Sequence, residues 1–554
     1  MYRFLLLLSL VFFSGCTDNT TFNTAPIADA GNYQYLEAGS IVRLNGSKSH
    51  DEDGDELTFK WTMVEKPAGS SASLRLANTV SPYFTSDLEG NYVIQLIVND
   101  GVTDSLPDYV TINTITFVDP DTTSPQMDNL IYTPTNIIEK RPMLVIRLAF
   151  SNQTFVSGES TWQSILFGKQ AHQLNNYYQE VSHQQFEFEP VADAGDTTDG
   201  ITTITFTNTE HPDPDINANG FTAKLHPFLK DAIIQVSDAG FDFSAYDSDN
   251  DGAITPEELI VTFIMAGEED AYSGGSSANG VWAHQWCTES SYTPTVNGVS
   301  VMSCEDDGNY AIFGERHRDS ASSSHDATVG IIAHELGHST FSLPDLYDTN
   351  SQYGGISYYG LMSNGSWGMV GTAGQPGDTP THFCAWSKID IGWYSATATP
   401  NDITTDHLIN ATGTADYNII KTPVSGVSNE YFLIENRGTS GYDAGLKYLS
   451  TDFQGGLAVW HIDSNTISAN LNDNSVNDNA SHKGVDLEEA DTPSLDNSEG
   501  DPTKNLFYNG NKTEFTPNTF PGSNLYNNAR TFIFMTDVSS PSDVMTLRIN
   551  NPQL

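Results

Sequence analysis

Residues 328–341 read TVGIIAHELGHSTF, and this stretch gives the strongest indication of the fold and of a metal site. Its apolar residues recur at a helical spacing, which predicts a buried helix. His334 and His338 are four residues apart, so both imidazoles project from one face of that helix and can reach one metal ion. The carboxylate of Glu335 can reach a water molecule beside the ion. Zn²⁺ suits two imidazoles, a carboxylate and an open position.

The positions of the acidic residues and histidines along the sequence narrow the candidates for the third metal ligand. No Glu occurs between Glu335 and Glu430, and the position ten residues after the first His is Pro. Asp345 is the nearest downstream candidate, because a helix that ends near Phe341 and a turn at the following Pro can return its carboxylate to the metal. The other acidic or histidine candidates stay open as alternatives: Asp348, Asp378, His382 and Asp390.

The segment HELGHSTFSLPDLYD (334–348) resembles the immune inhibitor A-type metallopeptidase family. Further blocks in the same order carry the resemblance over roughly residues 135–550. These blocks are MLVIRLAF (143–150), YYQEVS (177–182), VWAHQW (281–286), GLMSNGSWGM (360–369), HFCAWSKIDIGW (382–393), EYFLIENR (430–437), GGLAVWHID (455–463) and HKGVDLEEAD (482–491). The resemblance implies a zincin-like fold and a secreted zinc endopeptidase. It also implies that His334, His338 and Asp345 hold the zinc and that Glu335 is the general base.

The segment departs from the family pattern at one point. The family has Gly seven residues and Asp ten residues after the first His, whereas here Phe341 takes the Gly position and Asp345 lies eleven residues after His334. One residue is therefore inserted. Met362 lies at a position like the Met-turn beneath the zinc of related zincins, and it can equally be ordinary core. Tyr347 is a candidate for the donor that stabilises the transition state.

Residues 247–258 read DSDNDGAITPEE and match the calcium loop of an EF-hand. Gly252 stands at the sharp turn of the loop. The predicted calcium ligands are Asp247, Asp249, Asp251, Ala253 through its carbonyl, Thr255 and Glu258. The following stretch IVTFIMAG (260–267) indicates a strand instead of a helix, so we expect one structural calcium and no paired sensor. A solvated acidic turn is the alternative.

Residues 1–16, MYRFLLLLSLVFFSGC, indicate a secretory signal whose apolar run is too short to span a membrane. The end of this stretch resembles a bacterial lipobox, in which Cys16 is lipidated. An ordinary signal is the alternative. We expect the protein on the bacterial cell envelope, lipid-anchored and facing outward, or released. Export permits a disulfide between Cys287 and Cys304, which leaves Cys384 as a buried free thiol.

The predicted architecture is α+β and multidomain. A signal (1–15) and a tether (16–24) precede a β-sandwich (25–115), which resembles a PKD-like domain through APIADAG, LNGSKSHDEDGDELTFKW and GNYVIQLIVNDG. A linker (116–127), a zincin-like α/β catalytic domain (128–395) and a β-rich domain (396–554) follow. In the sandwich, Asp51, Asp53 and Asp55 form either a second calcium site or a solvated turn.

The charge balance excludes some partners. The 554 residues contain 23 Lys and Arg against 71 Asp and Glu, a net charge of −48, so phosphate backbones are repelled and nucleic-acid binding is excluded. Asp is common in calcium loops, but solubility in a salty medium explains most of this charge equally well. We expect a monomer that acts on protein or peptide substrates. We expect it to contact a membrane only through its N-terminal lipid. A non-catalytic adhesin is the alternative, against which the intact Glu335 argues.

Five histidines outside the motif are predicted to be structural or solvated. His284 is expected to be a satisfied core residue, with a place in the cleft as the alternative, and His461 and His482 are expected to be structural in the C-terminal β-rich body. His317 and His325 are expected to be solvated in a Ser-rich loop. The sequence contains neither Gly-x-Ser-x-Gly nor a phosphate-cradling Gly-Lys-Ser/Thr loop.

Overall fold

The computed structural model describes residues 23–31, 34–37, 41–51, 53–55, 57–115, 139–192, 199–214, 221–273, 279–320, 322–350, 354–370, 374–399, 404–491, 495 and 501–551. The predicted signal, Cys16 and the predicted linker lie outside these residues. The chain divides into two compact units between residues 129 and 130. Among the described residues, no helix combines the length and the apolarity needed to cross a bilayer.

The smaller unit is a β structure with one buried core. Its strands are β1 (Gln34–Glu37), β2 (Ile41–Arg43), β3 (Thr58–Glu65), β4 (Tyr83–Thr85), β5 (Gly90–Asn99) and β6 (Asp108–Ile115). Four of them form a sheet in the order β1-β6-β5-β3, and β2 pairs with β4. Alternate residues of β5 are buried, as a strand with one face on a core requires. Trp61 and Tyr92 lie in that core.

The larger unit contains the remaining strands of the described residues. They are β7 (Glu139–Phe150), β8 (Phe186–Pro190), β9 (Ile201–Phe206), β10 (Ala253–Ile254), β11 (Ile260–Glu269), β12 (Gly280–Val281), β13 (His284–Trp286), β14 (Thr295–Val296), β15 (Val299–Val301), β16 (Tyr310–Ser320), β17 (Ser323–Asp326), β18 (Thr397–Ala398), β19 (Thr404–Asn410), β20 (Ile420–Val424), β21 (Val427–Arg437), β22 (Gly456–Asp463), β23 (Val485–Leu487), β24 (Phe534–Thr536) and β25 (Val544–Asn550).

The helices of the larger unit connect and cover these strands. They are α1 (Glu159–Phe167), α2 (Leu174–Val181), α3 (Phe221–Asp238), α4 (Asp270–Ser273), α5 (Val329–Phe341), α6 (Ala385–Asp390) and α7 (Ser464–Asn470). Short 3-10 helices lie at Phe243–Ala245, Ser357–Tyr359, Asn364–Trp367, Gly441–Tyr448 and Pro502–Lys504.

An eight-stranded sheet organises the first part of the larger unit. Its main order is β13-β16-β11-β7-β8, with β7, β11 and β16 mutually parallel and β13 antiparallel at one end. Every residue of β7 from Met143 to Phe150 is buried, because both faces of the sheet are covered. Met143 and Val145 enter the core that contains α5, whereas Leu144 and Ile146 enter the core that contains α3.

The second part of the larger unit continues the same core. A five-stranded sheet has the order β18-β20-β21-β22-β23, and a three-stranded sheet has the order β19-β25-β24. Leu433 and Trp460 of the five-stranded sheet lie in one hydrophobic cluster with Leu336 of α5. The other face, with Phe432, packs on the three-stranded sheet. One continuous hydrophobic core therefore includes residues from both sides of residue 395. The domain boundary that the sequence places there stays a prediction.

One strand begins later than its sequence indicates. The short apolar stretch 531–535 predicts a strand there, but β24 starts at Phe534. Phe532 has a φ of 62°, a left-handed conformation that an extended strand cannot include.

Candidate metal centre

Helix α5 is buried because its apolar residues pack into the core on the sheet face that also carries α1 and α2. It lies against β13 and β16. Two glycines on one face of the helix allow a close approach by the chain that follows it. A Cβ atom at Gly330 would lie 1.9 Å from the carbonyl oxygen of Ser366, and one at Gly337 would lie 2.5 Å from the sulfur of Met362. Met362 is thus packed beneath the helix that carries the two histidines.

The end of α5 turns the chain back toward the histidines. Ser342 follows the helix with a φ of 54°, and its N–H donates to the carbonyl of His338 at 2.9 Å. Such a left-handed residue is a common way to end a helix, and glycine usually occupies it. Ser342 lies three residues before Asp345, the spacing at which the family pattern has its Gly. At the end of the helix, Ser342 therefore takes a backbone conformation that glycine favours.

The two imidazoles are fixed by backbone carbonyls. His334 Nδ1 donates to the carbonyl of Leu361 at 2.9 Å, and His338 Nδ1 donates to the carbonyl of Leu343 at 2.6 Å. A carbonyl accepts but cannot donate, so in each neutral ring the proton is on Nδ1 and Nε2 presents a lone pair. The two Nε2 atoms lie 3.2 Å apart.

Asp345 completes the cluster. Its Oδ1 lies 3.1 Å from His334 Nε2 and 3.2 Å from His338 Nε2. Tetrahedral zinc with bonds of about 2.0–2.1 Å separates its ligand atoms by about 3.3 Å, so this triangle has the size that the ion requires. Burial opposes charge on Asp345, but the two imidazoles hold its pKa well below the usual range. The cluster thus favours a positive charge at its centre, and the residues fit a zinc ion.

Of the alternatives left open by the sequence, none within the described residues joins the two histidines. Asp348 accepts from the N–H of Asn350, and Asp378 accepts from the N–H of Gln375. His382 has its Nε2 3.1 Å from Glu180 Oε1, and Asp390 is exposed at the end of α6.

Glu335 is 5% exposed and lies beside the cluster. Burial raises the pKa of its carboxyl to about 8, and the nearby carboxylates of Asp345 and Glu269 contribute to this shift. The backbone N–H of Gln285, on the edge strand β13, is hydrogen-bonded to it. A divalent cation beside this carboxyl would lower its pKa again. The protonation of this carboxyl therefore depends on the charge that the neighbouring cluster holds.

Tyr347 lies next to the same cluster. Its ring is nearly parallel to that of His334, with centroids 6.4 Å apart. Burial raises the pKa of its hydroxyl well above the usual value, and a hydrogen bond to Asp345 raises it further. The hydroxyl therefore stays protonated and remains a donor.

Sequence reasoning missed the residue that holds Asp345. Asn474, 129 residues further along the chain, contacts both the backbone and the carboxylate of Asp345. The sequence offers no local signal for this contact, because the Asn-rich stretch around 474 indicates only a loop.

The predicted calcium loop folds so that its acidic side chains converge. Ligand oxygens of Asp247, Asp249 and Glu258 all lie within 4.8 Å of one another. Gly252 has a φ of 88°, as the sharp turn needs. Glu258 accepts from the N–H of Ser248 at 2.6 Å, which closes the loop from its last position.

The remaining predicted ligands lie in the same loop. Asp251, Ala253 and Thr255 follow in order, and β10 begins at Ala253. The chain leads into β11 at Ile260, so no helix follows the loop. The second acidic group, Asp51, Asp53 and Asp55 of the smaller unit, also has ligand oxygens within 4.8 Å of one another.

The cysteines and outlying histidines are placed as follows. Cys287 and Cys304 form a disulfide with their Cα atoms 5.0 Å apart, and Cys384 is a buried free thiol. His284 is buried, and its Nδ1 donates to the carbonyl of Trp282 at 2.7 Å.

The expectation that His317 is solvated is wrong. It lies on β16, opposite His325 of β17, and its ring stacks on Tyr272 with centroids 4.1 Å apart. The rings of Tyr272, His325 and Trp367 pack around it and bury it completely, and burial holds its pKa well below the usual value.

Residues 136–394 match the family model described as immune inhibitor A peptidase M6, catalytic domain. The chain carries an M6 metallopeptidase domain. This M6 domain makes the protein a hydrolase that acts on peptide bonds, with proteins or peptides as its substrates. Residues 30–114 match a family model described as a PKD domain. Both resemblances stated from the sequence are thereby confirmed, and so is a mixed α+β chain with a PKD-like domain before the M6 peptidase domain.

Solved structures match short parts of the chain. The PKD domain from KIAA 1837 protein is 26% identical over 18% of this chain and 96% of that chain, with a TM-score of 0.16. The PKD domain from human KIAA0319 is 11% identical over 20% of this chain and 100% of that chain, with a TM-score of 0.16. A nucleoside hydrolase-related hypothetical protein from Saccharophagus degradans is 24% identical over 17% of this chain and 26% of that chain, with a TM-score of 0.16. Matches of this extent carry no argument about the M6 domain. No curated protein matches the chain.

Proposed function

We propose that the protein is a zinc-dependent endopeptidase that cleaves extracellular proteins. The observation that carries this proposal is the convergence of His334 Nε2, His338 Nε2 and Asp345 Oδ1, with separations of 3.1–3.2 Å, beside the buried Glu335. Two neutral imidazoles and one carboxylate are a ligand set that Zn²⁺ takes in hydrolytic sites that keep a position open.

Zn²⁺ held by these residues would act as a Lewis acid toward the peptide carbonyl and would lower the pKa of a water molecule. Glu335 takes the proton of the attacking water and delivers it to the leaving amine. The hydroxyl of Tyr347 stays protonated, and by turning from Asp345 it would donate its hydrogen bond to the oxygen that becomes negative as the carbonyl is attacked. The carbonyls of Leu361 and Leu343 keep both imidazoles in the tautomer that the metal needs.

The same proposal includes a structural calcium ion in the 247–258 loop. The converging carboxylates repel one another, and the pKa of Asp249 is raised by burial and by its acidic neighbours Asp251, Glu258 and Asp247. A bound Ca²⁺ would remove this repulsion and stiffen the connection from α3 to the central strand β11.

Export and anchoring complete the proposal. The signal-like residues 1–15 and a lipidated Cys16 would place the peptidase as a monomer on the outer side of a bacterial membrane, from which it can also be released. The disulfide between Cys287 and Cys304 supports an oxidising compartment.

The deciding experiment is Glu335→Gln in the full chain. We expect this variant to retain zinc, as measured by metal analysis, because Glu335 is not a ligand. Casein hydrolysis should fall by about 10²–10⁴-fold, the usual contribution of a general base. The matched control is Glu514→Gln, since Glu514 is exposed. Full activity of Glu335→Gln would overturn the mechanism, and a zinc-replete wild type without activity would favour the non-catalytic adhesin.

A further inference from the structure

Asp345 is held by a residue far away in sequence. The side-chain amide of Asn474 donates to Asp345 Oδ2 at 2.6 Å. The side-chain carbonyl of Asn474 accepts from the backbone N–H of Asp345 at 2.7 Å. One side chain thus fixes both the backbone and the carboxylate of the candidate ligand.

Asn474 belongs to a longer contact between two segments. Asn477 donates to the carbonyl of Leu346 at 3.0 Å. Asp478 accepts from the backbone N–H of Thr349 at 2.8 Å and from the side chain of Asn350 at 2.8 Å. Residues 474–478 therefore hold residues 345–350 along their length, and we call them the Asn474 segment.

The Asn474 segment is itself rigidly placed. Val476 is buried in the hydrophobic cluster that contains α5. The side chain of Asn477 also exchanges two hydrogen bonds with the backbone of Val485, on β23. Asn474 has a φ of 51°, which asparagine tolerates better than most residues with a Cβ atom. The C-terminal sheet thereby fixes the position of the amide.

A carboxylate can turn about its last torsion with little preference, so Asp345 alone does not fix which oxygen faces the histidines. With Oδ2 bound to the amide of Asn474, Oδ1 is the oxygen left to meet the two Nε2 atoms. We infer that Asn474 is a positioning residue of the metal centre, which orients Asp345 as a zinc ligand. This inference rests on the proposed zinc site.

The test measures zinc affinity by chelator competition in the full chain. Asn474→Gly removes the amide and keeps a backbone that accepts a positive φ. We expect its Kd for zinc to rise about 10–100-fold, as is typical when the hydrogen-bond partner of a ligand is lost. The visible spectrum of the Co²⁺-substituted protein should change as well. The control Asn472→Ala, at an exposed position of the same loop, should leave both unchanged.

A double-mutant cycle separates positioning from a general structural role. In an Asp345→Ala background, Asn474→Gly should have no further effect on zinc affinity, because its partner is gone. Equal zinc affinity of wild type and Asn474→Gly would overturn the inference. An additive effect of the two substitutions in the cycle would also overturn it, and so would a metal-free Asn474→Gly protein that is unfolded. A wild type that binds no zinc would instead overturn the proposed function.

Discussion

Gly330 of α5 faces the backbone carbonyl of Ser366 so closely that a Cβ atom on it would lie 1.9 Å from that oxygen. Two turns further along, Gly337 faces the sulfur of Met362. The helix that carries His334 and His338 can therefore approach the chain beneath it only because both positions lack a side chain. The atoms that these two glycines face differ in how easily they can move. The oxygen of Ser366 belongs to the backbone, whereas the sulfur of Met362 lies near the end of a flexible side chain.

Gly330→Ala should cost more stability than Gly337→Ala. The carbonyl of Ser366 can move only with its backbone, so we expect Gly330→Ala to lose about 3 kcal/mol or more, whereas Met362 can turn aside for about 1 kcal/mol. Urea unfolding of both variants measures the difference. Gly158→Ala is the control, because a Cβ atom there would meet nothing within 4 Å. Equal losses at positions 330 and 337 would contradict this account.

Ser342→Gly should stabilise the protein. Ser342 has a φ of 54°, a conformation that costs a residue with a Cβ atom about 1–2 kcal/mol and glycine little. Part of that gain is offset by the greater freedom of glycine in the unfolded chain, so we expect a net gain of about 0.5–1 kcal/mol. Thermal unfolding gives the change, and Ser342→Ala, which keeps the Cβ atom, should show none of it. A destabilised Ser342→Gly variant would rule out this explanation.

Stability should fall as the pH rises from about 6.5 to about 9, through His461. Burial opposes charge on this imidazole, but hydrogen bonds to Glu430 and Glu488 outweigh it and raise its pKa to about 9. A pKa raised on folding contributes stability that is complete below the unfolded value and is lost as the pH passes the folded value.

His461→Gln should therefore remove this part of the pH dependence. The free energy of unfolding, measured by urea at pH values across that range, should decline less in this variant than in the wild type. His172→Gln is the control, because His172 is exposed and should keep the wild-type slope. An unchanged slope in His461→Gln would show that other groups cause the decline.

Calcium should raise the melting temperature of the larger unit through the 247–258 loop. An ion at 100 times its Kd adds about 2.7 kcal/mol to the stability of the state that binds it. Asp249→Asn should abolish this gain in calorimetry, because Asp249 lies among the converging carboxylates. Asp53→Asn, in the acidic group of the smaller unit, should leave the gain intact. If Asp53→Asn removes the gain instead, the calcium acts in the smaller unit.

Much of the fold was predictable because its signals are local. The alternation in 92–98 and the apolar run 143–150 each specify a strand within a few residues, and the structure has β5 and β7 there. The burial of His317 was not predictable in this way. Its sequence neighbours are polar, and it is covered because Tyr272, from a different element, stacks on it.

The sequence by itself determined the pairing of His334 with His338 and the place of Glu335, because one helical turn sets these relations. It also determined the calcium-like loop, whose side chains all come from one short turn. Only the tertiary structure decided that Asp345, of the five candidates, meets both histidines. The left-handed Ser342 and the amide of Asn474, 129 residues from Asp345, aim that carboxylate. Such contacts depend on how the whole core packs, and no short stretch of sequence encodes that.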